Sequence, residues 1–137
     1  TQNFASPGGG VLDKPATYAH PTRLKLNHWA LAGAWTVEKH AITLNEANGR
    51  IVYRFHARDL NLVIGPPSLG TSVRFRVRLN GKPPGAAHGS DVDADGNGTA
   101  TEQRLYQLIR QPKSIADRTF EIEFLDPAVQ VFSFTFG

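Results

Sequence analysis

The densest chemistry in the sequence lies in Asp91-Val92-Asp93-Ala94-Asp95-Gly96-Asn97-Gly98-Thr99-Ala100-Thr101-Glu102. This stretch satisfies the calcium-loop pattern D-x-[DN]-x-[DN]-G-x₅-E, with a glycine where the loop must turn sharply. Asp91, Asp93, Asp95, Asn97 and Glu102 are therefore candidate oxygen ligands for Ca2+, the one cofactor the sequence suggests. The eighth loop position is Gly98 rather than an aliphatic residue, and neither flank has a helical pattern, so an EF-hand is rejected. A structural calcium turn and a solvated hairpin loop closed by Asx-turns both remain open. Magnesium suits so flexible an all-protein loop poorly.

Other catalytic chemistry finds little support. The five histidines, His20, His28, His40, His56 and His88, form neither HxxxH nor HExxH. No serine sits in a Gly-x-Ser-x-Gly elbow. Glu38, Glu46, Asp59, Asp117 and Glu121 could supply a carboxylate pair, but their spacing selects none. Cysteine is absent, which removes thiol nucleophiles, thiolate metal sites and redox pairs from this chain. No catalytic residue is assigned.

Aromatic residues offer a binding reading. Sugar rings have apolar faces that rest on Trp or Tyr, while polar side chains read the hydroxyls at their edges. Trp29, Trp35, Tyr53 and Tyr106 are the candidate platform, and His56, Arg58, Asp59 and Asn61 the candidate polar contacts. Trp35 is the tryptophan expected in the core and Trp29 the one expected at a groove, so the predicted carbohydrate set is Trp29, His56, Arg58, Asp59, Asn61 and Tyr106. Core packing is the competing explanation for each aromatic.

The elements that must position these residues are strands. Val73-Arg74-Phe75-Arg76-Val77-Arg78-Leu79 and Thr119-Phe120-Glu121-Ile122-Glu123-Phe124 alternate strictly, which fits a half-buried strand and no helical face. The arginines and glutamates are expected to pair across an outer sheet face. Phe132, Phe134 and Phe136 mark a last strand contributing to the core. Asn48-Gly49 signals a hairpin between Leu44 and Ile51-Tyr53-Phe55, and Arg58-Asp59 a bend between sheets. Leu105-Tyr106-Leu108-Ile109 fits a short helix or a two-sided strand. With 13 glycines, 9 prolines and no βαβ alternation in 137 residues, the expected fold is an all-β, antiparallel β-sandwich of jelly-roll type. Residues 1–25 read as a linker and extended amino-terminal arm, and 26–137 as one β-sandwich domain.

A net charge of +3 with scattered basic residues gives no nucleic-acid footprint. No apolar run is long enough to span a bilayer, so no direct membrane insertion by this domain is expected. No amino-terminal segment reads as a signal peptide, and the lack of Met, even at position 1, with the opening Thr1-Gln2-Asn3-Phe4 suggests a mature or excised piece of something longer.

The phrases Asn27-His28-Trp29-Ala30-Leu31-Ala32-Gly33-Ala34-Trp35-Thr36-Val37 and Gly49-Arg50-Ile51-Val52-Tyr53-Arg54-Phe55-His56-Ala57-Arg58-Asp59-Leu60 resemble the carboxy-terminal domain of bacterial DipZ-type proteins. The likeness continues through Arg104–Ile109 and Phe120–Phe124 to Gly137. In that family a CcdA-like membrane portion, associated with cytochrome c biogenesis, precedes a TlpA-like thioredoxin domain and then a carbohydrate-binding-module-like jelly roll. The resemblance implies a non-catalytic accessory domain on the outer side of the cytoplasmic membrane, attached to a thiol-disulfide protein. Implied partners are the attached thioredoxin-like domain and cell-envelope glycans. The alternative is a protein-interaction or substrate-presentation module that contacts client proteins. The family's redox cysteines match no position in this chain.

Overall fold

A computed structural model describes residues 3–137. Ten strands, β1 (Pro15–Tyr18), β2 (Trp29–Val37), β3 (Ile42–Leu44), β4 (Gly49–Phe55), β5 (Asp59–Gly65), β6 (Val73–Leu79), β7 (Asn97–Ala100), β8 (Arg104–Arg110), β9 (Arg118–Phe124) and β10 (Gln130–Phe136), form one curled antiparallel sheet. One wing runs β7-β6-β9-β4 onto the first half of β2, and the other runs from its second half through β3, β10 and β5 to β8. The wings close over each other as a half-barrel, the sandwich architecture that the alternating patterns predict.

β2 turns the corner between them. Trp29–Ala32 pair with β4, whereas Trp35–Val37 pair with β3. At the corner Gly33 adopts φ +106°, and a Cβ there would stand 3.0 Å from the Gly49 Cα. A Cβ on Gly49 would in turn collide with Leu44 and approach the Trp35 ring at 3.1 Å. Glycine is needed at both positions because two backbones and an indole meet there.

This corner corrects one expectation. Asn48 does take a left-handed φ of 69°, but β3 and β4 succeed one another along β2 and do not pair with each other. A local turn signal was present, but the bulk of Trp35 and the bend of β2 send its flanking strands to different wings.

Inward faces supply the core. Trp35, Phe55, Phe75, Phe120, Phe124 and Tyr106 are its largest side chains, each at most 1% exposed. The alternation of β6 and β9 places their polar residues outward, with Arg76 opposite Glu123 and Arg78 opposite Glu121. Arg78 Nη1 reaches Glu121 Oε2 at 3.2 Å. Arg76 instead donates to Asn97 Oδ1 at 3.3 Å, and Arg74 to Asp126.

β8 is a strand, as the Leu105–Ile109 pattern allowed, but its burial is not two-sided: Tyr106 and Leu108 face the core, Leu105 and Gln107 are exposed, and Ile109 is buried past a register shift in the pairing with β5. In β10 a register shift between Val131 and Ser133 breaks the phenylalanine row. Val131 is buried, but Phe134 is only partly so and Phe136 is 42% exposed, so the last strand serves the mouth of the half-barrel as much as its core.

The packed chain starts upstream of Leu26. β1 pairs with β2, the Ala5 N–H donates to the Trp29 carbonyl, and Ser6 Oγ exchanges two 2.9 Å hydrogen bonds with the Leu31 backbone. Tyr18 and Leu24 are buried, whereas Pro7–Gly10 lie exposed. Among the described residues no helix is long and apolar enough to cross a membrane.

Candidate functional site

Trp29 and Tyr53 are register partners on β2 and β4, both partly buried and packed against the core. The Tyr53 ring lies 4.9 Å from Phe134 of β10, and Phe4 covers part of Trp29 at 4.7 Å. Trp29, Tyr53, Phe132 and Phe134 line a groove of about 480 Å³. Val37, Ile42 and Val131 continue its lining, and Glu38, Lys39, His40 and Ser133 stand at its rim. Burial pushes the Tyr53 hydroxyl above its ordinary pKa, so it stays a neutral phenol able to donate and accept. Aromatic faces beside a polar rim form the kind of surface that holds a sugar ring.

The predicted polar contacts are elsewhere. Asp59 and Asn61 face a second, smaller groove of about 250 Å³ with His88, Ser90, Gln107 and Arg110. Asp59 is clamped there by Arg58, whose Nε and Nη2 donate to Oδ2 at 3.1 and 2.9 Å, with Arg110 Nε 3.8 Å from Oδ1. His56 is exposed beyond the end of β4, its Nδ1 2.7 Å from Asp117 Oδ1.

Tyr106 is a correction. It is 1% exposed, its ring is capped by the Arg104 guanidinium 3.8 Å from the centroid, and its hydroxyl donates to the Glu102 carbonyl at 2.7 Å while accepting from the N–H groups of Thr101 and Glu102. No face is left for a ligand. The six predicted residues thus do not form one site: Trp29 lines the aromatic groove, Asp59 and Asn61 the polar one, and Tyr106 belongs to the core.

The Asp-rich loop is organised by protein donors. Asp93 Oδ1 accepts from the N–H groups of Asp95 and Asn97 at 3.0 and 2.9 Å, an Asx-turn. Asp91 accepts from Arg104 and from the Gln107 N–H at 2.7 Å, and Glu102 lies 3.6 Å from Arg104. The Arg104 hydrogen bond chiefly holds the Asp91 pKa below the ordinary carboxylate value, against the opposing effect of burial. Among the described residues no group of three or more His, Cys, Asp or Glu side chains is placed to hold a metal ion.

Sequence reasoning missed the groove's second wall. Phe134 read as core because the bulge in β10 has no local sequence mark, and nothing in the sequence grouped Glu38, Lys39 and His40 with Trp29. Ile42 and Val131 gave no signal, because they meet only through the β3–β10 pairing.

Comparison with known proteins supplies the family. The model of the family described as "Thioredoxin like C-terminal domain" matches residues 1–137. Protein DipZ of Mycobacterium bovis and Protein DipZ of Mycobacterium tuberculosis are each 30% identical over 131 residues, which is 95% of this chain and 16% of the relative. The chain therefore spans a small part of the length of those relatives. Among solved structures, a family two carbohydrate esterase from Clostridium thermocellum in complex with cellohexaose aligns with TM-score 0.48 and 10% identity, over 72% of this chain and 27% of its own. CsCBM6-3 from Clostridium stercorarium in complex with cellobiose aligns with TM-score 0.40 and 17% identity, over 77% and 75%. By the match along its whole length, the chain belongs to the thioredoxin-like C-terminal domain family.

Proposed function

We propose that this domain is a non-catalytic accessory module that binds envelope glycan through the groove between Trp29, Tyr53 and Phe134. Its parent, in this reading, is an extracytoplasmic, membrane-linked thiol-disulfide protein in which an attached thioredoxin-like domain carries the redox chemistry. The single observation behind the proposal is the pairing of Trp29 with Tyr53 on one groove wall. The absence of cysteine from the sequence leaves thiol exchange to another part of such a parent. The kinship with the two DipZ proteins supports that context.

The physical basis is differential burial. A pyranose presents C–H groups on its faces and hydroxyls on its edges, so an aromatic wall beside charged and hydroxyl-bearing side chains satisfies both. Glu38, Lys39, His40 and Ser133 provide acceptors and donors at the rim.

Co-sedimentation with purified peptidoglycan and arabinogalactan tests the reading. Wild-type protein should be retained by at least one polymer, Trp29→Ala should lose most of that retention, and Asn61→Ala should keep it. If wild type is not retained by either polymer, or Trp29→Ala binds as wild type does while remaining folded, the groove does not hold glycan.

A further inference from the structure

We infer that the groove prefers a glycan bearing an acetamido or similar small acyl substituent over an unsubstituted one, an inference that rests on the glycan reading above. The observation is the chemical asymmetry of the groove. Its aromatic wall, Trp29 and Tyr53, comes from the first half of β2 and its partner β4. Beyond the Gly33 corner the half-buried Ile42 presents aliphatic surface to the groove, flanked by its buried register partners Val37 and Val131, with Phe132 and Phe134 further along β10.

A plain hexose suits only one of these surfaces. Its C–H face lies against the rings, but hydroxyls on its edges would be desolvated against Ile42 without a hydrogen-bond partner, an uncompensated cost. An acetyl methyl belongs there, since burying it on aliphatic carbon is favourable. The rest of the substituent also finds complements. An amide offers one donor and one acceptor, and the rim holds Glu38 to accept from the N–H and Lys39 or the Ser133 hydroxyl to donate to the C=O. Among the described residues the side chains of Glu38, Lys39, His40 and Ser133 make no internal hydrogen bond or ion pair, so engaging a ligand breaks nothing in the fold. The groove's 480 Å³ also falls within the range of about 300–1,000 Å³ common for ligand pockets.

Tryptophan fluorescence gives the readout, because Trp35 is fully buried and Trp29 lines the groove. The titrants are β-1,4-linked N-acetylglucosamine oligomers and β-1,4-linked glucose oligomers of equal length, which differ only in the acetamido group. The acetamido series should bind about tenfold tighter, equivalent to ~1.4 kcal/mol. Ile42→Thr should shrink that ratio while leaving the glucose series nearly unchanged, and Ile42→Val should preserve it. Equal affinities, or tighter binding of the glucose series, would overturn the acyl preference and leave the glycan reading standing. Binding of neither series, joined to failure of polymer retention, would overturn both.

Discussion

Arg104 grips Asp91 with two hydrogen bonds, Nη2 to Oδ1 at 2.8 Å and Nη1 to Oδ2 at 3.2 Å. The first residue of a calcium-type loop thus already has a cation, supplied by the chain two residues beyond the loop's last position. A bidentate guanidinium satisfies the same lone pairs that a metal would take.

Calcium at millimolar concentration should accordingly leave the melting temperature of the wild-type domain unchanged, as read by thermal denaturation with and without chelator. Arg104→Gln should destabilise by about 1 kcal/mol, the upper range for a pair this exposed. A saturable, calcium-dependent rise in the wild-type melting temperature would show that Asp91 exchanges arginine for metal.

Part of the sensitivity to acid should run through Asp126. Its carboxyl is lowered from 3.8 to about 2, first by the Arg74 side-chain hydrogen bond and then by the Arg74 backbone N–H. A carboxylate lowered on folding contributes stability that is complete above its ordinary value and lost as pH falls through the folded one. We expect part of the acid-induced fall in melting temperature between about pH 4 and 2 to vanish in Asp126→Asn. Solvent exposure of both partners will keep the effect modest. Identical pH profiles for the two proteins would remove Asp126 from the account.

The sequence made some of this architecture legible and hid the rest, for physical reasons. Period-two alternation survives in β6 and β9 because each has a core side and a solvent side, and their Arg–Glu register follows from that pattern. The path of β2 was not legible. Its corner depends on Gly33 meeting Gly49 across the fold: a glycine inside a strand pattern marks a bulge or a close approach without naming the partner, and Asn48-Gly49 signalled a hairpin. Trp29 was placed at a groove from its polar neighbours, but the other wall depends on the β3–β10 pairing and on the bulge after Val131. Tyr106 was misread because an aromatic in an alternating segment gives no hint that Arg104 will cap it.

That corner gives a sharp stability test. Gly33→Ala places a Cβ 3.0 Å from the Gly49 Cα at φ +106°, where side chains are strained irrespective of space. The expected loss is about 2 kcal/mol or more, read as a lower denaturant midpoint at unchanged slope. By contrast Gly70→Ala, also at positive φ but with open space around its Cβ, should cost only the backbone strain of about 1 kcal/mol. Equal losses at the two glycines would mean that the Gly33–Gly49 approach does not hold the wings together.

Tyr106 and Tyr53 should separate stability from binding. The Tyr106 hydroxyl holds the Thr101–Glu102 turn through three hydrogen bonds, so Tyr106→Phe leaves the Glu102 carbonyl and two N–H groups without that partner. The turn is exposed enough for water to replace some of them, which puts the expected loss at about 1–2 kcal/mol with glycan affinity intact. Tyr53→Phe keeps the ring against Phe134 and removes only a partly buried hydroxyl, so stability should stay within about 0.5 kcal/mol while affinity for a hydroxyl-rich ligand falls several-fold. The reverse pattern, with affinity tracking Tyr106 and indifferent to Tyr53, would move the binding surface away from the groove, because Tyr106 has no exposed face through which to act directly.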